Sequence, residues 1–356
     1  MLIESVTVRR AEFPLYEPYE LAFGNTESYQ SVVVEVTTDT GKKGLCEAII
    51  ITGYTPETVE KAYRTLTGLG PRLVGLPVDA IADTAAPLHG EVPFGASALV
   101  IATEIASGMP ELSPDRAIRC PILALVKNKE PAALDIEIED LIAAGYRVLK
   151  VKVGFDLETD LKKVSEVQAR VRGRAKIRVD ANQGFSQEEA CAFVARLDPS
   201  DIELVEQTCA ADDWEAAVAV SRVSEVPLML DEAIYDCSDI DRAAELGCAR
   251  YIKTKALKAG GVRETQKTIS KIREHGMIPV LGNGAAMDLT CWVEAAIAGD
   301  AFETHGEMNG FLKTPVQLLD GQLKLDKGSI VIGPGPLKIR EDLIERYTIE
   351  KTDYGR

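Results

Sequence analysis

The segment 148–184 decides the fold, because it runs from VLKVKVG (148–154) through a polar, helix-like stretch to KIRVDANQG (176–184). Two short runs rich in Val, Ile and Leu flanking an amphipathic stretch are typical of one strand–helix–strand unit. Similar apolar runs recur on both sides: PILALVK (121–127), IELVEQ (202–207), PLMLDEA (227–233), YIKTKAL (251–257), IPVLGNG (278–284) and AFETHGE (301–307). Eight buried strands alternating with helices predict a closed (β/α)₈ barrel. A doubly wound open sheet is the alternative, but no G-x-G-x-x-G follows the first strand.

The chain before the barrel shows a different pattern. Residues 5–10 alternate, residues 31–38 are rich in β-branched side chains, and Asp39-Thr40-Gly41 predicts a hairpin turn to a strand at 44–47. Helices are predicted over 55–69, where Thr55 would be the N-cap, and over 95–107. The tail after residue 311 has no further strand–helix unit, and we expect it to return to this N-terminal region.

Composition excludes several classes of protein. The 356 residues are 46% hydrophobic and 27% charged, and 40 Lys+Arg against 56 Asp+Glu give a net charge of −16. This charge disfavours nucleic acid and anionic membrane surfaces as partners. No apolar run approaches the ~20 residues of a membrane span, and no secretory signal is visible. Seven scattered Cys are expected to be reduced thiols, so we expect a cytoplasmic protein, and we expect it to form a homo-oligomer.

Charged residues interrupt the ends of successive predicted strands. Lys152, Asp180, Glu206, Asp231 and Lys255 follow one another at spacings of 28, 26, 25 and 24 residues, about one strand–helix unit each, and Asn283 and Glu307 continue the rhythm. Such residues return to one layer at the mouth of a barrel, where barrel enzymes place their chemistry. The alternative is that they cap the following helices. Five charges inside otherwise apolar runs favour a functional site, because unpaired buried charge is costly.

Three adjacent carboxylates without His or Cys predict a magnesium site formed by Asp180, Glu206 and Asp231. Lys152 and Lys255, four strands apart, would face each other across the mouth. Lys150 lies on the same strand face as Lys152, and we expect it and the metal to lower the pKa of Lys152 toward the range of a useful base. This arrangement suits removal of a proton α to a carboxylate, whose developing charge the metal would stabilise.

The ordered motifs resemble those of the muconate lactonizing enzyme subgroup of the enolase superfamily. They are Lys150-Val151-Lys152, Asp180-Ala181-Asn182-Gln183-Gly184, Val205-Glu206-Gln207, Asp231-Glu232 and Lys255-Ala256-Leu257-Lys258-Ala259-Gly260-Gly261. The resemblance implies a modified (β/α)₇β barrel over 116–311, and an α+β capping domain over 1–115 that the segment 312–356 completes. It also implies Mg²⁺ on the three carboxylates, Lys152 and Lys255 as the acid–base pair, Lys150 as an auxiliary lysine, and Asn182 and Glu232 as polar support.

The resemblance leaves the overall reaction open among racemisation or epimerisation, cycloisomerisation and β-elimination. Racemisation or epimerisation of an amino-acid derivative leads, because both lysines would act on one carbon of a small carboxylate substrate. Dipeptide epimerases have D-x-D-G on the eighth strand, whereas this chain has Glu307-Met308-Asn309-Gly310, which puts a plain dipeptide in doubt. We expect Asn283, Glu307 and Asn309, with Phe23 and Tyr54 from two lid loops, to contact the substrate.

We predict that Glu307 meets a cationic nitrogen of the substrate, and the second interpretation is that it pairs with a lysine such as Lys150 or Lys255. Two other classes also stay open. A Schiff-base aldolase would use Lys255 but leave the three carboxylates without a role. A non-catalytic binding barrel would tolerate loss of Lys152 or Lys255, and neither is lost.

Overall fold

The computed structural model describes residues 1–21, 24–128, 130–300 and 302–355. The strands are β1 (Ile3–Leu21), β2 (Gly24–Thr38), β3 (Lys43–Ile49), β4 (Ile118–Pro121), β5 (Ala124–Leu125), β6 (Val148–Lys152), β7 (Lys176–Asp180), β8 (Ile202–Glu206), β9 (Leu228–Leu230), β10 (Tyr251–Thr254), β11 (Ile278–Leu281), β12 (Leu323–Asp326), β13 (Ser329–Ile332) and β14 (Thr348–Gly355). The α-helices are α1 (Val59–Leu73), α2 (Ile81–Ala85), α3 (Pro93–Ser107), α4 (Pro131–Ala143), α5 (Leu157–Val171), α6 (Gln187–Arg196), α7 (Trp214–Val223), α8 (Cys237–Leu246), α9 (Ala256–Ala259), α10 (Val262–Glu274), α11 (Asp288–Ala298) and α12 (Glu341–Tyr347). In this part of the chain, no helix is long and apolar enough to cross a membrane.

Seven parallel strands form the sheet of the barrel, in the order β11-β10-β9-β8-β7-β6-β5. The predicted eighth strand occupies its place but is reduced to an isolated bridge between Ile122 and Gly306. Gly306 donates its N–H to Pro121 O (2.9 Å), and Glu307 donates its N–H to Leu281 O (3.0 Å), so this segment lies between the two edge strands and closes the barrel. A side chain on Gly282 would lie only 2.7 Å from the Glu307 nitrogen, so this junction requires glycine.

A four-stranded antiparallel sheet, in the order β14-β1-β2-β3, lies outside the barrel. The predicted hairpin turn is confirmed, because the Thr38 N–H donates to Lys42 O (2.9 Å) across Gly41, whose φ is 76°. The tail after 311 divides: β12 pairs with β13, which pairs in turn with β4, while β14 pairs with β1 in the register Ser5–Gly355. The proposed boundaries near 115 and 311 stay predictions.

The helix predicted to begin at Thr55 begins instead after Thr58, whose hydroxyl accepts the Lys61 N–H at 3.2 Å. The physical reason is Glu57, whose carboxylate accepts the N–H groups of Phe94 and Gly95 (2.8 and 3.2 Å) at the start of α3. This contact holds residues 55–57 outside α1. The helix predicted over 95–107 is confirmed as α3.

Buried carboxylates attach the N-terminal region to the barrel. Glu47 on β3 accepts the N–H groups of Met287 and Thr290 (3.0 and 3.1 Å), where α11 begins. Glu104 on α3 accepts the Val262 N–H (2.7 Å) at the start of α10. Carboxylates are favourable at helix N-termini, because the N–H groups there lack partners within the helix. These contacts place β3 and the loop after it over the barrel mouth. All seven cysteines are free, as expected.

Candidate active site

The five charged residues predicted from their spacing do meet at the mouth of the barrel. Lys152, Asp180 and Glu206 are the last residues of β6, β7 and β8, and Asp231 and Lys255 each follow the last residue of their strands. Lys152 is in register with Asp180, and Asp180 with Glu206. These side chains do not cap the helices that follow. They form ion pairs with one another or with neighbouring lysines.

The cavity at this mouth has a volume of about 50 Å³. It is lined by Tyr19, Ile49, Ile51, Tyr54, Phe94, Lys150, Lys152, Asp180, Asn182, Asp231, Lys253, Lys255, Asn283, Gly284, Ala285 and Glu307. Barrel residues form its floor, and residues of the N-terminal region cover it.

Two lysines link the buried carboxylates. Lys150 Nζ lies 2.9 Å from Asp180 Oδ2 and 2.8 Å from Glu206 Oε2, and Lys253 Nζ lies 2.9 Å from Glu206 Oε1 and 3.6 Å from Asp231 Oδ2. Burial raises the pKa of Asp180, but the ammonium groups of Lys150 and Lys152 outweigh it and lower that pKa to about 2. The cluster is therefore strongly ion-paired.

Lys253 was missed by the sequence interpretation. Its side chain is 2% exposed and also forms an ion pair with Glu307. A signal was present, since Lys253-Thr254-Lys255 repeats the spacing of Lys150-Val151-Lys152, and alternate residues of a strand share a face. Lys258, a second residue missed, donates to the backbone oxygen of Asp231, and burial lowers its pKa to about 8.

Glu307 pairs with lysines, which is the second of its two interpretations. Both of its oxygens accept from Lys150 Nζ, at 2.8 and 2.7 Å, and its other partner is Lys253, where Lys255 had been suggested. The cost of burying this carboxylate is thus offset without a substrate cation. A contact between Glu307 and substrate stays a prediction that this geometry does not support.

Lys152 donates to the carboxylate of Asp180 and to the side-chain oxygen of Asn182. The expected lowering of its pKa, which depends in part on a bound metal ion, stays a prediction. Burial does work in that direction, but Asp180 and the nearby Tyr19 and Glu307 outweigh it and raise the pKa of Lys152. Lys150 is a neighbour of Lys152 in the sequence, whereas the carboxylates that raise the pKa of Lys152 come from other parts of the chain.

Lys255 contacts both oxygens of Asp231 at 2.8 Å and donates to the hydroxyl of Tyr54. Its ammonium also lies 4.4 Å from the centre of the Tyr54 ring. Tyr54 comes from a predicted lid loop and lines the cavity as expected, and its hydroxyl donates to Asp231 Oδ1 at 3.0 Å.

The other residues predicted to belong to the site differ in where the structure places them. Asn182 donates to Glu232 Oε1 at 3.0 Å, and burial together with Asp231 raises the pKa of Glu232 to about 7. Asn283 lines the cavity, and its side-chain NH₂ has no hydrogen-bond partner among the described residues. Asn309 is not brought to the cavity and instead donates to Leu123 O at 3.3 Å. Phe23 lies outside the described residues.

The donor set fits Mg²⁺ in chemical type. Three carboxylates on adjacent strands supply hard oxygen ligands, and all three are buried. Within the described ranges, no three acidic, His or Cys side chains converge tightly enough to ligate one ion directly. Instead, the ammonium groups of Lys150 and Lys253 lie between the carboxylates. Lys150 contacts Asp180 and Glu206, and Lys253 contacts Glu206 and Asp231.

Two family models match this chain. The mandelate racemase/muconate lactonizing enzyme N-terminal domain matches residues 3–101, and the enolase C-terminal domain-like family matches residues 133–336. The chain therefore belongs to the enolase superfamily, as a member of the muconate lactonizing enzyme subgroup.

Curated relatives and solved structures agree with this assignment. The N-succinyl-L-Arg/Lys racemase of Bacillus cereus is 25% identical over 98% of both chains, and its crystal structure superposes with a TM-score of 0.90 over 99% of this chain and 100% of that one, at 24% identity. An L-Ala-D/L-Glu epimerase of Bacillus subtilis is 28% identical over 80% of this chain and 81% of its own. The crystal structure of a dipeptide epimerase from Enterococcus faecalis, complexed with Mg and the dipeptide L-Leu-L-Tyr, superposes with a TM-score of 0.85 over 95% of this chain and 98% of that one, at 24% identity.

The enzymes among these relatives are isomerases, and the chain is an isomerase of this superfamily. The predicted family and barrel fold are confirmed. The Schiff-base aldolase and the non-catalytic barrel are not the classes to which these relatives belong.

Proposed function

We propose that the protein is a Mg²⁺-dependent racemase or epimerase of an amino-acid derivative, with Lys152 and Lys255 as its acid–base pair. The observation that carries this proposal is the position of the two amines. They line one cavity from β6 and β10, and the three intervening strands carry the buried carboxylates. A substrate carbon between the two amines can lose a proton to one and gain a proton from the other.

Asp180, Glu206 and Asp231 are the residues that would hold the metal. When bound, Mg²⁺ supplies positive charge that stabilises the negative charge developing on the substrate carboxylate as the α-proton leaves. Lys150 and Lys253 keep the carboxylates in place, and Glu307 keeps those two lysines in place.

Each catalytic lysine has its own orienting partner. Asn182 accepts a hydrogen bond from Lys152, and the hydroxyl of Tyr54 accepts one from Lys255. One lysine acts as the neutral base and the other as the protonated acid, and the roles exchange with the enantiomer of the substrate. Tyr54 and Phe94, whose ring centres lie 6.1 Å apart, cover the cavity and limit the access of water.

The test is incorporation of solvent deuterium at the α-carbon of N-acyl amino acids and dipeptides, with Mg²⁺ and then with excess chelator. Lys152→Ala and Lys255→Ala should each abolish racemisation, while each still exchanges the α-proton of one enantiomer. The control is Lys162→Ala, which should behave as wild type. The side chain of Lys162 is 78% exposed and pairs with Glu166.

Exchange of the same enantiomer by both variants would overturn the two-base arrangement. It would then favour cycloisomerisation or β-elimination, which require only one lysine as base. Activity that is unchanged by chelator would contradict the metal part of the proposal. The homo-oligomer expected from the sequence stays a prediction.

A further inference from the structure

A second cavity, of about 300 Å³, opens beside Lys152. We call it the outer pocket, and it is lined by Tyr16, Glu17, Pro18, Tyr19, Leu125, Val126, Lys127, Lys152, Phe155, Lys163, Leu312 and Lys313. Tyr19 and Lys152 also line the cavity at the barrel mouth. A molecule whose reacting carbon lies at Lys152 can therefore extend a substituent into the outer pocket.

The outer pocket is cationic in a protein of net charge −16. Four of its lining residues are lysines, and the one acidic residue among the lining residues described, Glu17, forms an ion pair with Lys127. Lys152 is paired with Asp180, and Lys163 Nζ donates to Lys152 O at 2.9 Å. Lysines thus outnumber acidic residues among the described lining residues of this pocket.

Lys313 is the lysine of this pocket that is central to the inference. Its ammonium donates to Gly284 O at 2.6 Å and lies 4.7 Å from the centre of the Tyr19 ring, but no described carboxylate lies within ion-pair distance of it. Burial lowers the pKa of Lys313, and the nearby Tyr19 and Glu307 offset this only in part. Burial by itself would raise the pKa of Tyr19, yet Lys313 and Lys152 lower it, so the local potential is positive.

Three of the lining residues are apolar and exposed. Tyr16 is 70% exposed, Phe155 is 63% exposed and Leu312 is 39% exposed, and the ion pair of Glu17 and Lys127, which also lines the pocket, is exposed as well. Large exposed apolar side chains around a concave site are typical of ligand binding. The pocket therefore offers contacts to an apolar stem and a cation deeper inside.

We propose that the outer pocket binds a substrate substituent that ends in a carboxylate, and that Lys313 is the specificity-determining residue that pairs with it. This inference rests on the proposed function, because it assigns the substituent to a substrate held at Lys152. The carboxylate has two possible sources, the N-acyl group or the amino-acid side chain.

The experiment compares acids with their amide counterparts at each source. One pair is N-succinyl-leucine and N-succinamoyl-leucine, and the other is N-acetyl-glutamate and N-acetyl-glutamine. Deuterium exchange gives kcat/KM, and calorimetric titration gives Kd, for wild type, Lys313→Met, Lys313→Arg and the surface control Lys162→Met. We expect wild type to prefer the acid of one pair at least about tenfold, as loss of one charged hydrogen bond implies.

Lys313→Met should remove that preference, mainly through KM, while Lys313→Arg and Lys162→Met retain it. Equal kcat/KM for acid and amide in both pairs, or a preference that survives in Lys313→Met, overturns this inference and leaves the racemase proposal standing. If no compound exchanges but the acid still binds more tightly to wild type than to Lys313→Met, the proposed function fails and the inference holds. If no compound exchanges and no difference in binding is found, both proposals are overturned.

Discussion

Two sets of buried carboxylates in this molecule are stabilised in different ways. At the barrel mouth, Asp180, Glu206, Asp231 and Glu307 each contact a lysine ammonium. At the contacts that join the N-terminal region and the tail to the barrel, Glu47, Glu104 and Asp288 accept hydrogen bonds from backbone N–H groups. Both sets are almost fully buried, so burial alone does not distinguish the carboxylates proposed to bind metal from those that anchor the chain.

The pKa values of the two sets move in opposite directions in most cases. Burial raises the pKa of every member, but lysines lower the values of Asp180, Asp231 and Glu307, and only Glu206, close to Asp180, stays raised. Backbone N–H groups offset burial less completely, so the pKa of Asp288 is raised to about 6 and that of Glu47 to about 8. Full positive charges keep a buried acid ionised, which a metal ligand must be, whereas amide dipoles anchor the chain.

The same chemical change in each set should separate the two roles. Asp231→Asn should reduce turnover by about a thousandfold or more while the fold persists, because a neutral amide is a poor metal ligand. Asp288→Asn should instead lower the Tm, since one of the N–H groups of Leu318 and Leu319 loses its acceptor, at a cost of ~1–3 kcal/mol. Exchange kinetics and calorimetry on both variants check this. A large loss of turnover in Asp288→Asn at unchanged Tm would break the comparison.

Removing charge should cost more stability at the mouth than at the anchoring contacts. Glu307→Gln leaves Lys150 and Lys253 buried with one fewer carboxylate, at a cost of ~3–5 kcal/mol. Glu47→Gln retains an oxygen that accepts the same two N–H groups and should cost less than ~2 kcal/mol. Thermal unfolding of both variants in Mg²⁺-free buffer measures the difference, and equal losses would show that the lysine pairing is not strongly coupled to folding.

A further expected effect is on the pH dependence of stability. The pKa of Glu47 is raised to about 8 in the folded protein, so between its unfolded value near 4.5 and pH 8 the folded state holds a proton that the unfolded state releases. Stability should therefore fall as pH rises through this window. Between pH 6 and pH 8, Glu47→Gln should lose about 2 kcal/mol less than wild type. Parallel Tm curves for the two proteins would place the pKa of Glu47 near its ordinary value.

The sequence predicted the ring of strand-end residues because one strand–helix unit has a nearly constant length. It did not predict the pairing inside the ring, since Lys150 and Glu307 are 157 residues apart and only the closed barrel brings them together. The surroundings of Lys152 also depend on distant residues, because the carboxylates that raise its pKa come from other parts of the chain. The start of α1 at Thr58 also depended on a distant contact, from Glu57 to the start of α3.

The pairing of β14 with β1 has a consequence for the order of folding. Ser5 and Gly355 are register partners, so the outer sheet requires contacts between distant parts of the chain, whereas each strand of the seven-stranded sheet pairs with a strand one strand–helix unit away. Non-local pairing is slow, because loop closure must precede it. During synthesis the seven-stranded sheet can assemble first, because β1 can pair with β14 only after residues 348–355 have been synthesised. The charged mouth is thus built before the layer that covers it is complete.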